Sequence, residues 1–309
     1  MRTAAALVSL LLLAAPAGAQ EEAPDPRVRE LLLLDGAPFV ELELGGAKGW
    51  FLLDTGANVS GVDRGWLKET GARHELEGSS RLGGTTGSVA VGRARFEELL
   101  LGTARFTRSV WLVHDYSGFR APPEAKRQSG LLGTDFLRSL QVEVDYAARR
   151  ARFSKKDERP PRSTELTPTA LSWINGHPTV SVRLAGIDIP CRLDSGASYL
   201  REGPLLDVNA HVVTALRAAG VELREAGTIT VRGVAGPRTL GLLQGGLTLE
   251  LGALRLEDVT LVVHEQGSLS VDGPLGLASA SVLGKAGRWV LDPFDHLFWV
   301  GRGPRADRF

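Results

Sequence analysis

Apolar and polar residues alternate along two similar segments of the chain, which is typical of strands covered on one face. The alternation runs from Phe39 to Leu44 and from Thr179 to Leu184, and a turn of small residues follows each segment. A second short apolar run comes after each turn, at Trp50 to Leu53 and at Pro190 to Leu193. Helical spacing is rare and predicts short helices at 64–70, 133–140 and 208–219. The pattern therefore predicts an all-β fold of many short strands broken by glycine.

These segments belong to an internal repeat. Three pairs of blocks match in the same order along the chain: 36–57 with 176–197, 101–115 with 251–265, and GLLG at 130–133 with GPLG at 273–276. The first pair aligns without a gap. Such ordered self-similarity predicts two copies of one unit. The charged segment 154–169 between them contains paired prolines and predicts an exposed connector.

Composition narrows the class of protein. The chain has 309 residues, of which 43% are hydrophobic, so it is long and apolar enough for two packed domains. Its 36 Lys and Arg balance 36 Asp and Glu, so no net basic charge favours nucleic acid or anionic lipid. One Cys excludes an intramolecular disulfide, and six scattered His argue against a multi-His metal site. We therefore expect no metal, no cofactor and no nucleic-acid partner.

The first residues have the pattern of an export signal. Arg2 precedes an apolar run that ends at Pro16, and the sequence AGA at 17–19 matches the small-x-small cleavage pattern. The run is shorter than the ~20 apolar residues that span a bilayer comfortably. Residues 1–19 are therefore predicted to be a signal peptide. We expect the mature protein to be periplasmic or secreted, with no membrane anchor after cleavage.

Each copy of the unit places an acidic residue directly after an apolar strand. Asp54-Thr55-Gly56-Ala57 has this place in the first copy, and Asp194-Ser195-Gly196-Ala197 has it in the second. A single Asp-Thr-Gly sequence forms an ordinary turn more often than a catalytic loop. Two such sequences at equivalent points of a repeated β unit are far more specific. Asp54 and Asp194 are therefore the candidate catalytic residues.

With these motifs the chain resembles the retropepsin-like aspartic proteases, the clan of pepsin and the retroviral proteases, with both halves in one polypeptide. The resemblance includes the blocks Leu131-Leu132-Gly133 and Pro274-Leu275-Gly276, whose apolar-apolar-Gly pattern packs beside the catalytic loop in that clan. It implies a bilobal acid-protease fold with two duplicated β-barrel lobes and a cleft between them. The lobes are predicted at 28–155 and 156–309.

The resemblance also implies a mechanism without a cofactor. Amide hydrolysis needs a base that deprotonates water and an acid that protonates the carbonyl oxygen, and two carboxyl groups sharing one proton supply both. Two full charges about 3 Å apart repel by roughly 5 kcal/mol at an effective dielectric constant near 20. The pair is therefore expected to hold one proton over a wide pH range, with the attacking water between Asp54 and Asp194.

The neighbouring motif residues are expected to support the catalytic loops: Thr55, Gly56, Ser195 and Gly196. In the clan, each hydroxyl hydrogen-bonds across the axis to the opposite loop, and each glycine brings a backbone N–H close to an Asp because no Cβ obstructs it. The alanines at positions 57 and 197 replace the Ser or Thr of many pepsin-like enzymes. Without that hydroxyl donor the ionised carboxylates are stabilised less, so we expect a pH optimum nearer neutral than strongly acidic.

Two glycine-rich turns are candidate flaps that would cover the substrate and exclude water. The flap residues are predicted to be Gly83, Gly84 and Thr85 in the first copy and Gly233, Val234 and Ala235 in the second. Plain hairpin turns are the alternative for both. Among other conspicuous residues, Cys191 is expected to be small and buried, and His114 and His264 to lie near the surface without a chemical role.

Together these features predict an exported aspartic endopeptidase that hydrolyses peptide or protein substrates. A monomer would be sufficient, because one chain carries both Asp residues. The alternative is a non-catalytic peptide-binding module that keeps the acid-protease fold and binds peptides without turnover. A processing enzyme dedicated to one target is a further alternative, since it would look inactive on generic peptides.

Overall fold

A computed structural model describes residues 25–161 and 163–303 of the chain. The predicted signal peptide at 1–19 lies outside this part. Strands dominate the described residues and the helices are short, so the predicted all-β fold is confirmed. No helix in the described ranges is long and apolar enough to cross a membrane. We refer to residues 28–155 as the first half and to residues 156–303 as the second half.

The first half consists of ten strands and two short α-helices within the described residues. They are β1 (Val28–Leu34), β2 (Ala37–Leu44), β3 (Ala47–Leu53), β4 (Gly61–Asp63), α1 (Arg64–Thr70), β5 (Glu75–Gly84), β6 (Gly87–Leu101), β7 (Ala104–His114), β8 (Gly130–Leu132), α2 (Thr134–Leu137), β9 (Gln141–Asp145) and β10 (Arg150–Ser154).

The second half begins with a single 3₁₀ turn at Lys156–Glu158 in the predicted connector. Its elements are β11 (Thr167–Ala170), β12 (Ser172–Ile174), β13 (His177–Leu184), β14 (Ile187–Leu193), β15 (Leu205–Asn209), α3 (Ala210–Ala218), β16 (Arg224–Gly233), β17 (Gly236–Leu251), β18 (Leu254–His264), β19 (Gly276–Ala278), α4 (Ala280–Leu283), β20 (Arg288–Asp292) and β21 (Leu297–Val300).

Local sequence explains the hairpin that leads into each candidate loop. A two-residue turn joins β2 to β3, and both Gly45 and Gly46 have positive φ, at 62° and 83°. The same turn joins β13 to β14, where Ala185 and Gly186 have φ of 47° and 86°. Two-residue hairpins with positive φ at both central positions match the right-handed twist of the strands. The turns therefore fix the register of β3 and β14.

The two halves repeat the same strand pairings around this hairpin. β3 runs parallel to β8, and β14 runs parallel to β19. β4 pairs antiparallel with β8 and parallel with β7, as β15 does with β19 and β18. The last residues of β3 are thus held by backbone hydrogen bonds to β2 and β8, and those of β14 by bonds to β13 and β19.

This register corrects one equivalence drawn from the sequence. Leu193, the last residue of β14, pairs with Ala278 at the end of β19, just as Leu53 pairs with Leu132 at the end of β8. Ala278 is therefore the second-half equivalent of Leu132. The predicted block Pro274-Leu275-Gly276 lies mostly before β19. The prediction was wrong because Ser279 stands where the first half has Gly133, so the apolar-apolar-Gly pattern does not mark this site in the second half.

The C-terminal strands join the two halves in one sheet. β20 pairs antiparallel with β9, while β10 and β1 extend the sheet on one side and β21 and β11 on the other. Gln141 donates a hydrogen bond to the buried carboxylate of Asp292 at 2.9 Å, and Arg288 donates to Glu143 at 2.7 Å. The lobe boundary between residues 155 and 156 stays a prediction, since strands from both sides of it share this sheet.

Candidate active site between the two halves

Both candidate catalytic residues are positioned by the ends of parallel strands. The Asp54 N–H donates to the carbonyl of Leu132 at 3.0 Å, and the Asp194 N–H donates to the carbonyl of Ala278 at 2.9 Å. Each Asp is therefore the first residue after a strand that is held on both sides. Backbone hydrogen bonds alone therefore fix where each of the two loops begins.

Two hydroxyl groups connect the loops across the axis that relates the halves. The Thr55 Oγ1 donates to the carbonyl of Leu193 at 2.9 Å and accepts from the Ser195 N–H at 3.0 Å. The Ser195 Oγ donates to the carbonyl of Leu53 at 2.5 Å and accepts from the Thr55 N–H at 3.1 Å. Both side chains are buried. These four hydrogen bonds hold each loop against the backbone that precedes the opposite Asp.

The two carboxyl groups meet between the loops. Each carboxyl group lies against the glycine of the opposite loop, so the side chains of Asp54 and Asp194 approach each other across the axis. A hydrogen bond between them would require one proton, because ionised carboxylates only accept. The Gly56 N–H donates to Asp54 at 2.9 Å, and the Gly196 N–H donates to Asp194 at 3.0 Å. A Cβ on Gly196 would lie only 2.5 Å from the Asp54 carboxyl carbon. Glycine is therefore required for the close approach.

The environment of the pair favours the protonated form. Burial raises the pKa of Asp54 to about 6, although the hydrogen bond from the Gly56 N–H acts in the opposite direction. Burial and then the negative charge of Asp54 raise the pKa of Asp194 well above its ordinary value. Such shifts belong to the pair, since one carboxyl that ionises makes the second harder to ionise. A pair with one carboxylate and one carboxylic acid can act as base and acid together.

Two hairpin tips meet above the pair. The tip between β5 and β6 contacts the tip between β16 and β17, where the Ala235 N–H donates to Thr86 Oγ1 at 3.2 Å. The predicted flap residues Gly83, Gly84, Thr85, Gly233 and Val234 line the cleft, and Ala235 lies at the contact between the tips. The cleft has a volume of about 790 Å³, and both Asp54 and Asp194 line it. This volume suits several residues of an extended peptide.

The first-half wall of the cleft contains an apolar cluster. Phe39, Leu52 and Leu131 are buried and form one cluster with Tyr116 and Phe119. Sequence reasoning did not select these residues, because each of them also fits an ordinary strand interior. Within the described ranges no group of three or more His, Cys, Asp or Glu is placed to hold a metal ion.

The second-half wall contains buried polar residues that sequence reasoning missed. Arg192 lines the cleft beside His177. Burial and the positive charge of Arg192 lower the pKa of His177 to about 4, so this ring is neutral at pH 7. Asp207 also lines the wall, where it accepts hydrogen bonds from Tyr199 and, at 2.6 Å, from His264 Nε2.

The surface prediction for His264 was wrong. Its side chain is 2% exposed, because the parallel pairing of β15 with β18 brings the end of β18 beside Asp207. His114 is half-buried, with its ring 5.2 Å from the ring of Tyr116. Cys191 is buried, as expected, and burial raises the pKa of its thiol. No spacing pattern in the sequence connects positions 207 and 264, so only the fold reveals this contact.

A comparison with known families agrees with this geometry. Residues 40–136 match a family model described as aspartyl protease, a segment that runs from β2 to α2 and includes the first candidate loop and hairpin. A search of curated proteins finds no match to the chain. The matched segment of the first half is therefore similar to aspartyl proteases. The second half lies outside the matched segment, and its likeness to the first rests on the repeated sequence and strand pairings.

Proposed function

We propose that the protein is an aspartic endopeptidase in which Asp54 and Asp194 activate one water molecule between them. The observation that carries this proposal is the placement of the two half-buried carboxyl groups against each other's loops, which the reciprocal hydrogen bonds of Thr55 and Ser195 hold together. The family match over the first half supports a protease in general. The second Asp supplies the partner that a single-chain enzyme of this type needs.

The chemistry follows from one shared proton. The ionised carboxylate removes a proton from the water as its oxygen attacks the substrate carbonyl carbon, while the protonated carboxyl donates its proton to the carbonyl oxygen. A gem-diol results, and the dyad again holds one proton. That proton then passes to the amide nitrogen while the dyad recovers a proton from the diol. The C–N bond breaks and releases a carboxylic acid and an amine.

The cleft favours an extended substrate. A peptide lying beneath the two hairpin tips would present its backbone to the strand edges and its alternating side chains to the two walls. With a peptide bound beneath them, the tips would exclude bulk water from the carboxyl groups and lower the polarity around the pair. Substrate entry then requires the contact between Thr86 and Ala235 to open.

The deciding experiment compares isosteric variants on a diverse peptide mixture from pH 3 to 8, with and without pepstatin. Asp54→Asn and Asp194→Asn keep the shape of the loops but remove the acid–base pair, so turnover should fall by about 10²–10⁴-fold. Asp188→Asn is the matched control, because Asp188 lies exposed on the same strand as the second loop and pairs with Arg183. Its turnover should equal that of the wild type.

Two results would contradict the proposal. Peptide turnover that continues unchanged in both dyad variants would reject the mechanism. Peptide binding by the wild type without any cleavage products would instead favour the non-catalytic binding module.

We further propose that the protein acts after export, in the periplasm or outside the cell. The support is the charged start, apolar run and AGA sequence of residues 1–19. Expression in a bacterial host, followed by fractionation and N-terminal sequencing, should give an exported form that starts at Gln20. Recovery of the uncleaved chain from the cytoplasm would contradict this part of the proposal.

A further inference from the structure

The two walls of the cleft are built from equivalent strand positions. The strand pairings align two rows of residues: Phe39, Leu52, Leu131 and Gly61 in the first half, and Thr179, Arg192, Leu277 and Asp207 in the second. Residues paired across neighbouring strands point to the same face of a sheet. The cleft-lining member of β3 is therefore Leu52, and its equivalent in β14 is Arg192.

Arg192 is a buried cation without an anionic partner in the described part of the chain. Its side chain is only 6% exposed, and its Nη1 donates to the carbonyl of Ser268 at 2.8 Å. Its Nε has no hydrogen-bond partner among the described residues. A guanidinium carries five N–H donors, and a buried charge is costly unless an anion and hydrogen bonds offset the loss of water. The guanidinium of this cleft-lining residue is thus incompletely satisfied.

The nearby carboxylates do not satisfy this cation. The Asp207 Oδ1 is engaged by Tyr199 and His264, and no ion pair joins Asp207 to Arg192 within the described residues. Asp194 acts on Arg192 electrostatically but forms no ion pair with it, and its Oδ1 accepts from two backbone N–H groups. An anion that enters the cleft is therefore the partner that Arg192 lacks.

We propose that Arg192 binds a carboxylate of the substrate on the second-half side of the scissile bond. This inference rests on the proposed function and adds a substrate class to it. The carboxylate comes from an Asp or Glu side chain or from the free C-terminus of a peptide, since both present the same two oxygens to a guanidinium. On the opposite side of the scissile bond, the apolar wall around Leu52 accepts an apolar side chain.

The test measures kcat/KM for matched peptide pairs. Glu and Gln are exchanged at one position at a time on each side of the cleaved bond, and a second set compares a free C-terminal carboxylate with its amide. The wild type should prefer the charged member at one position by about 10- to 100-fold, which is the factor that a charge-assisted hydrogen bond supplies. The position that shows the preference distinguishes an acidic side chain from a chain terminus.

Variants at position 192 and at the equivalent position 52 show which residue causes the preference for Glu over Gln. Arg192→Leu reproduces the residue of the first half and should abolish the discrimination between Glu and Gln. Arg192→Lys should restore part of it, because Lys keeps the charge without the planar pair of donors. Leu52→Met is the matched control and should leave the Glu/Gln ratio unchanged. Each ratio is taken within one variant, so partial loss of folded protein does not affect it.

A binding measurement separates failure of this inference from failure of the proposed function. Labelled Glu and Gln peptides are titrated against the Asp54→Asn variant by fluorescence anisotropy, which requires no turnover. If the wild type cleaves nothing, the proposed function fails, but the binding ratio still decides the role of Arg192. Equal binding of both peptides, a preference that survives Arg192→Leu, or no binding by any peptide would overturn the inference.

Discussion

The first half packs aromatic side chains behind its candidate loop at 54–57, whereas the second half packs aliphatic residues behind the equivalent loop at 194–197. In the first half, the ring of Phe51 lies 5.6 Å from Trp66 and 5.7 Å from Trp111 in edge-on contacts. The position equivalent to Phe51 is Cys191. Both loops nevertheless form the same backbone and hydroxyl hydrogen bonds. Strand pairing therefore sets the geometry of the loops, and different cores support it.

The cores differ without changing the loops, but the side chains that differ between the two walls of the cleft change its chemistry. A change from Leu52 to the equivalent Arg192 replaces an apolar contact with a buried positive charge while the strand register stays the same. A symmetric backbone thus carries an asymmetric binding surface. Two halves of this kind can hold the reacting groups symmetrically and still distinguish the two sides of a substrate.

The largest expected effect comes from the core. Phe51→Ala should lower the free energy of unfolding by about 3–5 kcal/mol, because it removes the ring that contacts two tryptophans and leaves a cavity. Cys191→Ala, at the equivalent position, should lower it by only about 1 kcal/mol, since a single sulfur atom is removed. Urea unfolding of both variants measures the difference. Equal losses would show that the two cores do not differ as their residues indicate.

The second effect concerns the pH dependence of stability. Because the folded-state pKa of Asp54 is raised, its contribution to stability is fully present below the unfolded-state pKa near 4 and is lost as pH rises through about 6. Asp54→Asn removes the titration of this group, so the stability of the variant should rise relative to that of the wild type between pH 4 and pH 7. Unfolding of both proteins across this range measures the gain. A constant difference between them would contradict the raised pKa.

The same shifts predict the pH dependence of catalysis. The proposed activity requires one carboxylate and one carboxylic acid, and raised pKa values move that state toward weakly acidic and neutral pH. The rate profile should therefore have its maximum well above the strongly acidic range. An optimum near pH 2 would be incompatible with this burial of the pair.

Removal of one cross-axis hydroxyl should have a smaller effect on stability. Ser195→Ala leaves the Thr55 N–H and the Leu53 carbonyl buried without this partner, and the expected loss is about 1–3 kcal/mol. Thr55→Val removes the corresponding bonds on the other side and should cost a similar amount. Thermal unfolding compares the two. If only one substitution destabilises the protein, the hydrogen bonds of the two hydroxyl groups do not contribute equally to stability.

Local signals predicted part of this architecture well. The helix predicted at 64–70 has the observed bounds, since Asp63 caps its first turn and Gly71 ends it with φ of 65°. The two Asp loops were found because short, nearly identical sequences follow similar strands. The contact of Asp207 with His264 was missed, because it depends on parallel pairing of β15 and β18 across a long stretch of chain. Sequence indicates what a strand repeats locally but not which distant side chain lies beside it.

The direction in which Arg192 points could not be predicted from the sequence either. In the sequence it is one polar residue inside an apolar strand, and the alternation alone is equally compatible with an exposed position. Its direction follows from the register of β14 between β13 and β19, which depends on contacts far apart in the chain. A sequence repeat is detected from matching residues, so it does not reveal side chains that differ between the two walls, such as Leu52 and Arg192.

The smallest expected effect lies at the hairpin tips, where the two halves contact each other above the cleft. Thr86→Val removes the hydrogen bond to the Ala235 N–H, which is exposed and so contributes about 0.5 kcal/mol. The closed arrangement should weaken slightly, which raises KM about twofold and leaves kcat nearly unchanged, because the carboxyl pair is not altered. Thr228→Val, at an exposed position of β16 away from the tip, is the control and should change neither constant. A large fall in kcat for Thr86→Val alone would mean that the tips act on the reacting groups themselves rather than on substrate retention.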